Sequence, residues 1–217
     1  AAGKISGQGG IAAPSANRFG QVSPTQAAHV RSEFPELVAQ GMPVLEGGSS
    51  EVGIESTIVD LSRLDQGVGP VLLRPGHITA AQLEEVLHQS VSAADAHAPR
   101  VSGALKSHYA PHTPLQLVTI EALLRLAQNP QLESGQRMAL VSHSHAQSTQ
   151  PLHPQVDWIS MPGQHGAYGQ ALYATLRSLD QSGYVRLLWE NIPEDADWSG
   201  VKDRLTRAAA AFEAAAL

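Results

Sequence analysis

Gly10-Ile11-Ala12-Ala13-Pro14-Ser15-Ala16-Asn17-Arg18-Phe19-Gly20-Gln21-Val22-Ser23-Pro24-Thr25 reads as a strand end, a polar turn and the start of a helix. Gly10 to Ala13 is the apolar end of the strand. Ser23 is a good N-cap and Pro24 suits the first helical position, so the pattern predicts a helix from there. Small residues, hydroxyls, an amide and a guanidinium crowd the turn between them. Backbone N–H groups at a helix N-terminus favour an anion such as phosphate in a turn of this kind. Many α/β proteins have such loops without a ligand, so the loop alone does not decide function.

Two downstream segments add to it. Gly53 to Leu61 reads as a strand, with Ser56 and Thr57 embedded among β-branched neighbours. Val71-Leu72-Leu73-Arg74-Pro75-Gly76 is an apolar strand that ends in an arginine and a Pro-Gly turn. A charged side chain at the lip of a buried strand serves a ligand or an ion pair, and for Arg74 both readings stay open. Thr79 with Gln82 forms a capping-box pattern, followed by Leu83, Val86 and Leu87 as the apolar face of a helix. Lys106-Ser107-His108-Tyr109-Ala110-Pro111 puts imidazole and aromatic groups into an otherwise featureless stretch, as a clasp would.

The chain divides into residues 1–90, a linker over 91–114 rich in Ala, Ser, His and Pro, and residues 115–217. The last part alternates strand-like and helical runs. Leu115–Val118, Met138–Val141, Val156–Met161 and Val185–Trp189 are strand-like, with helices expected over 120–128, 166–182 and 198–216. Leu172, Leu176 and Leu179 share one helical face. This predicts a small Rossmann-like α/β domain with a largely parallel sheet.

Composition narrows the function classes. The 217 residues are 42% hydrophobic, enough for one or two ordinary cores. No run approaches the ~18 apolar residues of a membrane span. With no cysteine, disulfides and thiolate metal sites are excluded. The formal net charge of −6 is spread along the chain and shows no basic footprint for nucleic acid. His143, His145, His153 and His165 read as surface-loop residues rather than metal ligands, because a polar loop offers no fixed ligand shell. There is no Gly-x-Ser-x-Gly elbow, and Gly7-Gln8-Gly9-Gly10 is too short for a dinucleotide fingerprint or a P-loop.

In order along the chain, Pro14 to Arg18 with Ser23-Pro24-Thr25, Gly53 to Asp60, Leu73 to Gly76 and Ser107 to Pro111 resemble the YrdC/TsaC-type threonylcarbamoyl-AMP synthases. Ala171 to Asp180 resembles the added domain of the long, two-domain form. The resemblance implies the C-terminal part of a YrdC-like twisted-sheet domain, then a linker, then the Rossmann-like domain. Members of the family begin with a segment bearing a Lys/Arg-rich substrate motif, which has no match here. The chain is therefore expected to lack that N-terminal segment.

The implied reaction joins L-threonine, bicarbonate and ATP, normally with Mg²⁺, into threonylcarbamoyl-adenylate and pyrophosphate for tRNA modification. The alternative is a non-catalytic piece that binds nucleotide, RNA or a tRNA-modification partner. By resemblance Ser15, Ser23 and Arg74 meet the nucleotide, Asn17 braces the loop, and His108 or Tyr109 closes over ATP. Ala13 offers backbone to threonine and Ser56 holds the amino acid. No residue is assigned an acid–base role. A cytoplasmic location without membrane contact is expected, and the sequence does not reveal the oligomeric state.

Overall fold

The computed structural model describes residues 15–145 and 151–213. The expected strand end at Gly10–Ala13 lies outside them. The first part runs through α1 (Ala27–Glu33), α2 (Pro35–Ala39), β1 (Ile58–Asp60), β2 (Val71–Arg74), α3 (Ala80–Leu87) and β3 (Ser92–Ala93). The second holds β4 (Leu115–Val118), α4 (Ile120–Gln128), β5 (Met138–Ser142), β6 (Val156–Ser160), α5 (His165–Asp180), β7 (Arg186–Glu190) and α6 (Ser199–Ala209).

In the second part the four strands are all parallel, in the order β4-β7-β5-β6. Successive strand side chains point to opposite faces. Leu115, Ala139, Val141, Leu187 and Trp189 accordingly pack with Leu172, Leu176 and Leu179 of α5 and Val201 and Leu205 of α6. Met138, Leu140, Val156 and Leu188 face Leu123 and Ala127 of α4. A parallel sheet covered on both faces needs continuous apolar strands, which is how these runs read in the sequence. The expected helix over 198–216 stops at Ala209. The chain then turns, and Phe212 packs back against the core.

The first part has a mixed sheet, β1-β2-β3, with β1 antiparallel and β3 parallel to β2. Ser92 and Ala93, expected in the linker, thus extend this sheet. The capping box of α3 is present: Thr79 Oγ1 accepts from the Gln82 N–H at 3.3 Å, and Gln82 Oε1 accepts from the Thr79 N–H at 2.9 Å. Val86 is 76% exposed, so it does not belong to the packed face of that helix.

Two expectations shift for one kind of reason. The helix expected at Ser23-Pro24 begins at Ala27, because Arg177 of α5 takes the Val22 and Ser23 carbonyls and holds that backbone extended. Ser23 Oγ donates to Glu55 and so caps nothing. The strand expected over 53–61 is reduced to Ile58–Asp60. Its lead-in is committed elsewhere, since Arg74 occupies the Ser56 carbonyl and Gly53 lies flush on α5.

The two parts meet backbone to backbone. A Cβ on Gly53 would stand 2.3 Å from the Gln170 Cα and 2.4 Å from the Gly169 carbonyl oxygen. One on Gly200 would stand 2.8 Å from the Gly76 carbonyl oxygen. Gly53 also has φ +82, where a side chain costs ~1–3 kcal/mol before any clash. Gly53→Ala is expected to lower the thermal midpoint by roughly 4–10 °C. Gly41→Ala, at φ +91 with nothing within 4 Å, carries the strain without the clash and is expected to cost clearly less. Equal losses in a thermal-unfolding comparison would show that the close approach at Gly53 contributes nothing.

Candidate functional site

The loop that opens the described chain is held from several sides. Asn17 Nδ2 donates to the carbonyls of Arg18 at 3.0 Å and Gln21 at 3.1 Å, closing the turn. The Arg18 N–H donates to Glu33 Oε1 at 2.9 Å. The linker pairs with the same loop, with the Ala110 N–H on the Gly20 carbonyl at 2.9 Å. Asn17 thus stabilises the turn through its side-chain amide. Ala13 lies outside the described residues.

Behind the loop is a pocket of about 210 Å³ whose lining includes Ser15, Ser23, Thr25, Gly53, Glu55 and Tyr173. Glu55 is its polar centre. Its Oε1 accepts from Ser23 Oγ at 2.6 Å, and its Oε2 accepts from Tyr173 OH and Arg204 Nε, both at 2.8 Å. The Arg204 side chain is fully buried and also donates to the Pro75 carbonyl at 2.7 Å and the Glu55 carbonyl at 3.1 Å. Burial pushes the Glu55 carboxyl up, but the Arg204 charge and the bonds from Ser23 and Arg204 outweigh it, so its pKa is lowered. Burial pushes the Tyr173 phenol well above its ordinary value, and the Glu55 charge adds to this.

A second cluster lies under the linker. Arg74 is buried and forms no ion pair among the described residues: its guanidinium donates to the Ser56 carbonyl at 2.8 and 3.1 Å and to the Ser102 carbonyl at 3.0 Å. It therefore ties the linker to the lead-in of β1. Ser56 itself is exposed and outside the pocket lining. Tyr109 is 1% exposed at φ +62, and its ring centroid lies 4.2 Å from that of His108 and 5.7 Å from that of Tyr173. The Arg204 guanidinium stands 5.4 Å from the Tyr109 ring centroid. Tyr109 OH and His108 Nδ1 are buried without a hydrogen-bond partner. Burial is the largest influence on His108 and lowers its pKa; the Glu55 charge opposes this, and the nearby arginines add to it.

The structure therefore brings Ser15 and Ser23 together at the pocket, places Arg74, His108 and Tyr109 in a neighbouring cluster, and leaves Ser56 outside both. Sequence reasoning missed Glu55, Tyr173 and Arg204. Glu55 was legible as an acid set between Ile54 and Ser56 in a strand-like stretch, whereas the other two read as ordinary helix residues. Asp180, also missed, anchors the linker's end by accepting from the N–H groups of His112 at 3.0 Å and Thr113 at 2.7 Å.

A larger cleft, about 270 Å³, is lined by Arg18, Glu33, His112, Arg177 and Asp180 among others. Its charges are paired: Arg18 with Glu36, Arg177 with Glu33, His112 with Asp180. His143 departs from the surface-loop reading. Its side chain is 10% exposed, with Nδ1 3.3 Å from Glu190 Oε2 and its ring 5.4 Å from that of Trp198. His165 opens α5.

Residues 78–210 match the family model described as "Threonylcarbamoyl-AMP synthase, C-terminal domain", and residues 3–76 match one described as "Telomere recombination". The chain is 32% identical over 208 residues to the threonylcarbamoyl-AMP synthase of Bacillus subtilis, covering 92% of this chain and 57% of the relative. It is 28% identical over 214 residues to that of Pyrococcus abyssi, covering 91% and 57%. The crystal structure of P. abyssi Sua5 complexed with L-threonine superposes with a TM-score of 0.68 at 26% identity, over 90% of this chain and 56% of that one. A structure of the same protein with a neighbouring histidine and tyrosine changed to alanine gives the same TM-score at 25% identity. The chain spans a little over half the length of the curated relatives it matches.

Arg204→Met would leave the Glu55 carboxylate without its cation, and the expected loss at pH 7 is about 3 kcal/mol. In the native chain Glu55 has a lowered pKa, so its contribution is full above the unfolded value and fades as pH falls through the folded one. In the variant the carboxyl is desolvated without its partner, and its pKa rises. Protonation then relieves the variant first, so the stability gap should narrow as denaturant unfolding is moved from about pH 7 to about pH 4. A gap independent of pH would assign the loss to packing alone.

Proposed function

Because the chain belongs to the threonylcarbamoyl-AMP synthase family, we propose that its protein makes threonylcarbamoyl-AMP and pyrophosphate from L-threonine, bicarbonate and ATP. The product would serve threonylcarbamoyladenosine modification of tRNA in the cytoplasm, with tRNA or tRNA-modifying proteins as onward partners. The observation that carries this reading is the pocket walled by Ser15, Ser23 and Glu55 beside the Arg74–His108–Tyr109 cluster. The similarity of the fold to a structure complexed with L-threonine supports it.

The chemistry suits a site without an acid–base pair. The threonine amine takes up carbon dioxide from bicarbonate as a carbamate, the amine proton and the lost oxygen leaving as water, and a carbamate oxygen attacks the α-phosphorus of ATP. The bond from that phosphorus to the bridging oxygen breaks, and pyrophosphate leaves with the electron pair. The protein's part is alignment and charge stabilisation. Ser15, Ser23 and Arg74 would face the nucleotide on a loop braced by Asn17. His108 and Tyr109 would cover it from the linker. The Ala13 backbone and Ser56 would meet threonine, with Ser56 turning inward from its exposed position. Mg²⁺ would enter with the triphosphate as its ligand, since the described residues hold no group of three His, Asp or Glu suited to a metal ion.

The test is threonine-dependent pyrophosphate release by the protein as it occurs in its source cells. Release that ignores threonine would point to another carbamoyl-adenylate reaction, and nucleotide or tRNA binding without turnover would point to a binding module. Arg74→Ala is expected to weaken ATP binding about tenfold or more by calorimetry, the scale of a hydrogen bond to a charged group. Unchanged affinity would remove Arg74 from the nucleotide site.

A further inference from the structure

We propose that Asp203 is a positioning residue: by fixing Arg207, it lets α6 hold residues 102–110 of the linker, with His108 and Tyr109, in place beside the pocket. The proposal rests on the nucleotide reading of that pocket and adds a residue to it.

The first part of the chain pins this stretch of linker at both ends. Arg74 donates to the Ser102 carbonyl at 3.0 Å, and the Ala110 N–H donates to the Gly20 carbonyl at 2.9 Å. The middle is held by α6. Arg207 Nη1 donates to the Leu105 carbonyl, and the Arg207 carbonyl accepts from the His108 N–H at 3.2 Å. Tyr109 depends on this grip, because its φ of +62 is a conformation that persists in a bulky residue only where the surroundings enforce it. The backbone bonds of His108 and Ala110 enforce it from both sides.

Asp203 sets the direction of the Arg207 guanidinium. Its Oδ1 accepts from Nε at 2.9 Å and lies 2.8 Å from Nη2, which takes up one edge of the planar fork and leaves Nη1 facing the linker. Its Oδ2 accepts from Arg204 Nη1 at 2.9 Å. Arg204 and Arg207 stand three residues apart on one helix, where like charges repel. The carboxylate between them lets one point to Glu55 and the other to Leu105. A fully exposed pair one turn apart would only support the helix, but the Asp203 and Arg207 side chains are 14% and 19% exposed. Asp203 stands outside the pocket lining, so its effect on the linker passes through Arg207.

The test is limited tryptic cleavage of the full protein at Lys106. That side chain is 86% exposed, and its peptide bond to Ser107 lies between the two points that Arg207 holds. Cleavage there tracks how often the linker lifts away from α6. Asp203→Ala preserves helix propensity and is expected to speed this cleavage about tenfold, the scale of one hydrogen bond to a charged group. Arg207→Gln should do the same. The double variant should be cut no faster than Arg207→Gln alone, because Asp203 acts through Arg207. Unchanged cleavage in Asp203→Ala would overturn the proposal, as would effects that multiply in the double variant. A role in helix stability alone would lower the thermal midpoint and speed cleavage at buried sites as well, and that result would also overturn it. Repeating the native digestion with ATP separates the two readings. Slower cleavage at Lys106 is expected with nucleotide bound beside His108 and Tyr109. No effect of ATP would sink the nucleotide reading and leave the clamp standing.

Discussion

The contact between Glu55 and Arg204, 2.8 Å apart, joins the loop before β1 to the helix α6 some 149 residues later. A buried ion pair is a poor source of stability, because desolvating both charges offsets most of their attraction. Its effect here is on register. One guanidinium bonds the Glu55 side chain, the Glu55 carbonyl and the Pro75 carbonyl, so it fixes two loops at once. Those loops carry Gly53 and Gly76, whose backbones lie against Gly169 of α5 and Gly200 of α6. The close approach and the ion pair depend on each other. The glycines let the backbones approach, and Arg204 together with Tyr173 holds Glu55 at that approach.

Helix α5 extends the same logic. Its core stripe of Leu172, Leu176 and Leu179 packs on the sheet. Beside it run Tyr173, Arg177 and Asp180, spaced so that they share one side of the helix. Tyr173 holds Glu55, Arg177 holds the Val22 and Ser23 carbonyls together with Glu33, and Asp180 holds His112 and Thr113. Pocket, loop and linker are therefore all referenced to one rigid element. Loops positioned by such an element can present side chains with a precision that a loop alone cannot reach.

This also explains which features were legible in the sequence. The parallel sheet reads directly, because strands buried on both faces must be apolar at every position, as Met138 to Val141 are. The Thr79–Gln82 capping box reads as well, since both partners lie within one turn. Ser23-Pro24 carries an equally good local signal for a helix start, yet the helix begins at Ala27. There the competing partners are Glu55, 32 residues away, and Arg177, 154 residues away. Local propensity cannot anticipate a claim of that range. The same holds for Glu55, whose importance comes from what two helices of another domain bring to it. Arg74 was legible as a purposeful charge, but not as one resting on the Ser56 and Ser102 carbonyls.

That last detail bears on how an acidic chain could hold a triphosphate. Three arginines are buried among the described residues: Arg74, Arg177 and Arg204. Arg177 is neutralised by Glu33 and Arg204 by Glu55. Arg74 has only carbonyl oxygens, which satisfy its N–H groups without cancelling its charge. A buried cation left in that state is costly, and an anion drawn to it would recover part of the cost. The net charge of −6 does not oppose this, because exposed carboxylates are screened within about 8–10 Å at moderate salt. What an incoming phosphate senses at close range is the local field, to which the Arg74 guanidinium adds positive charge and the Glu55 carboxylate negative charge.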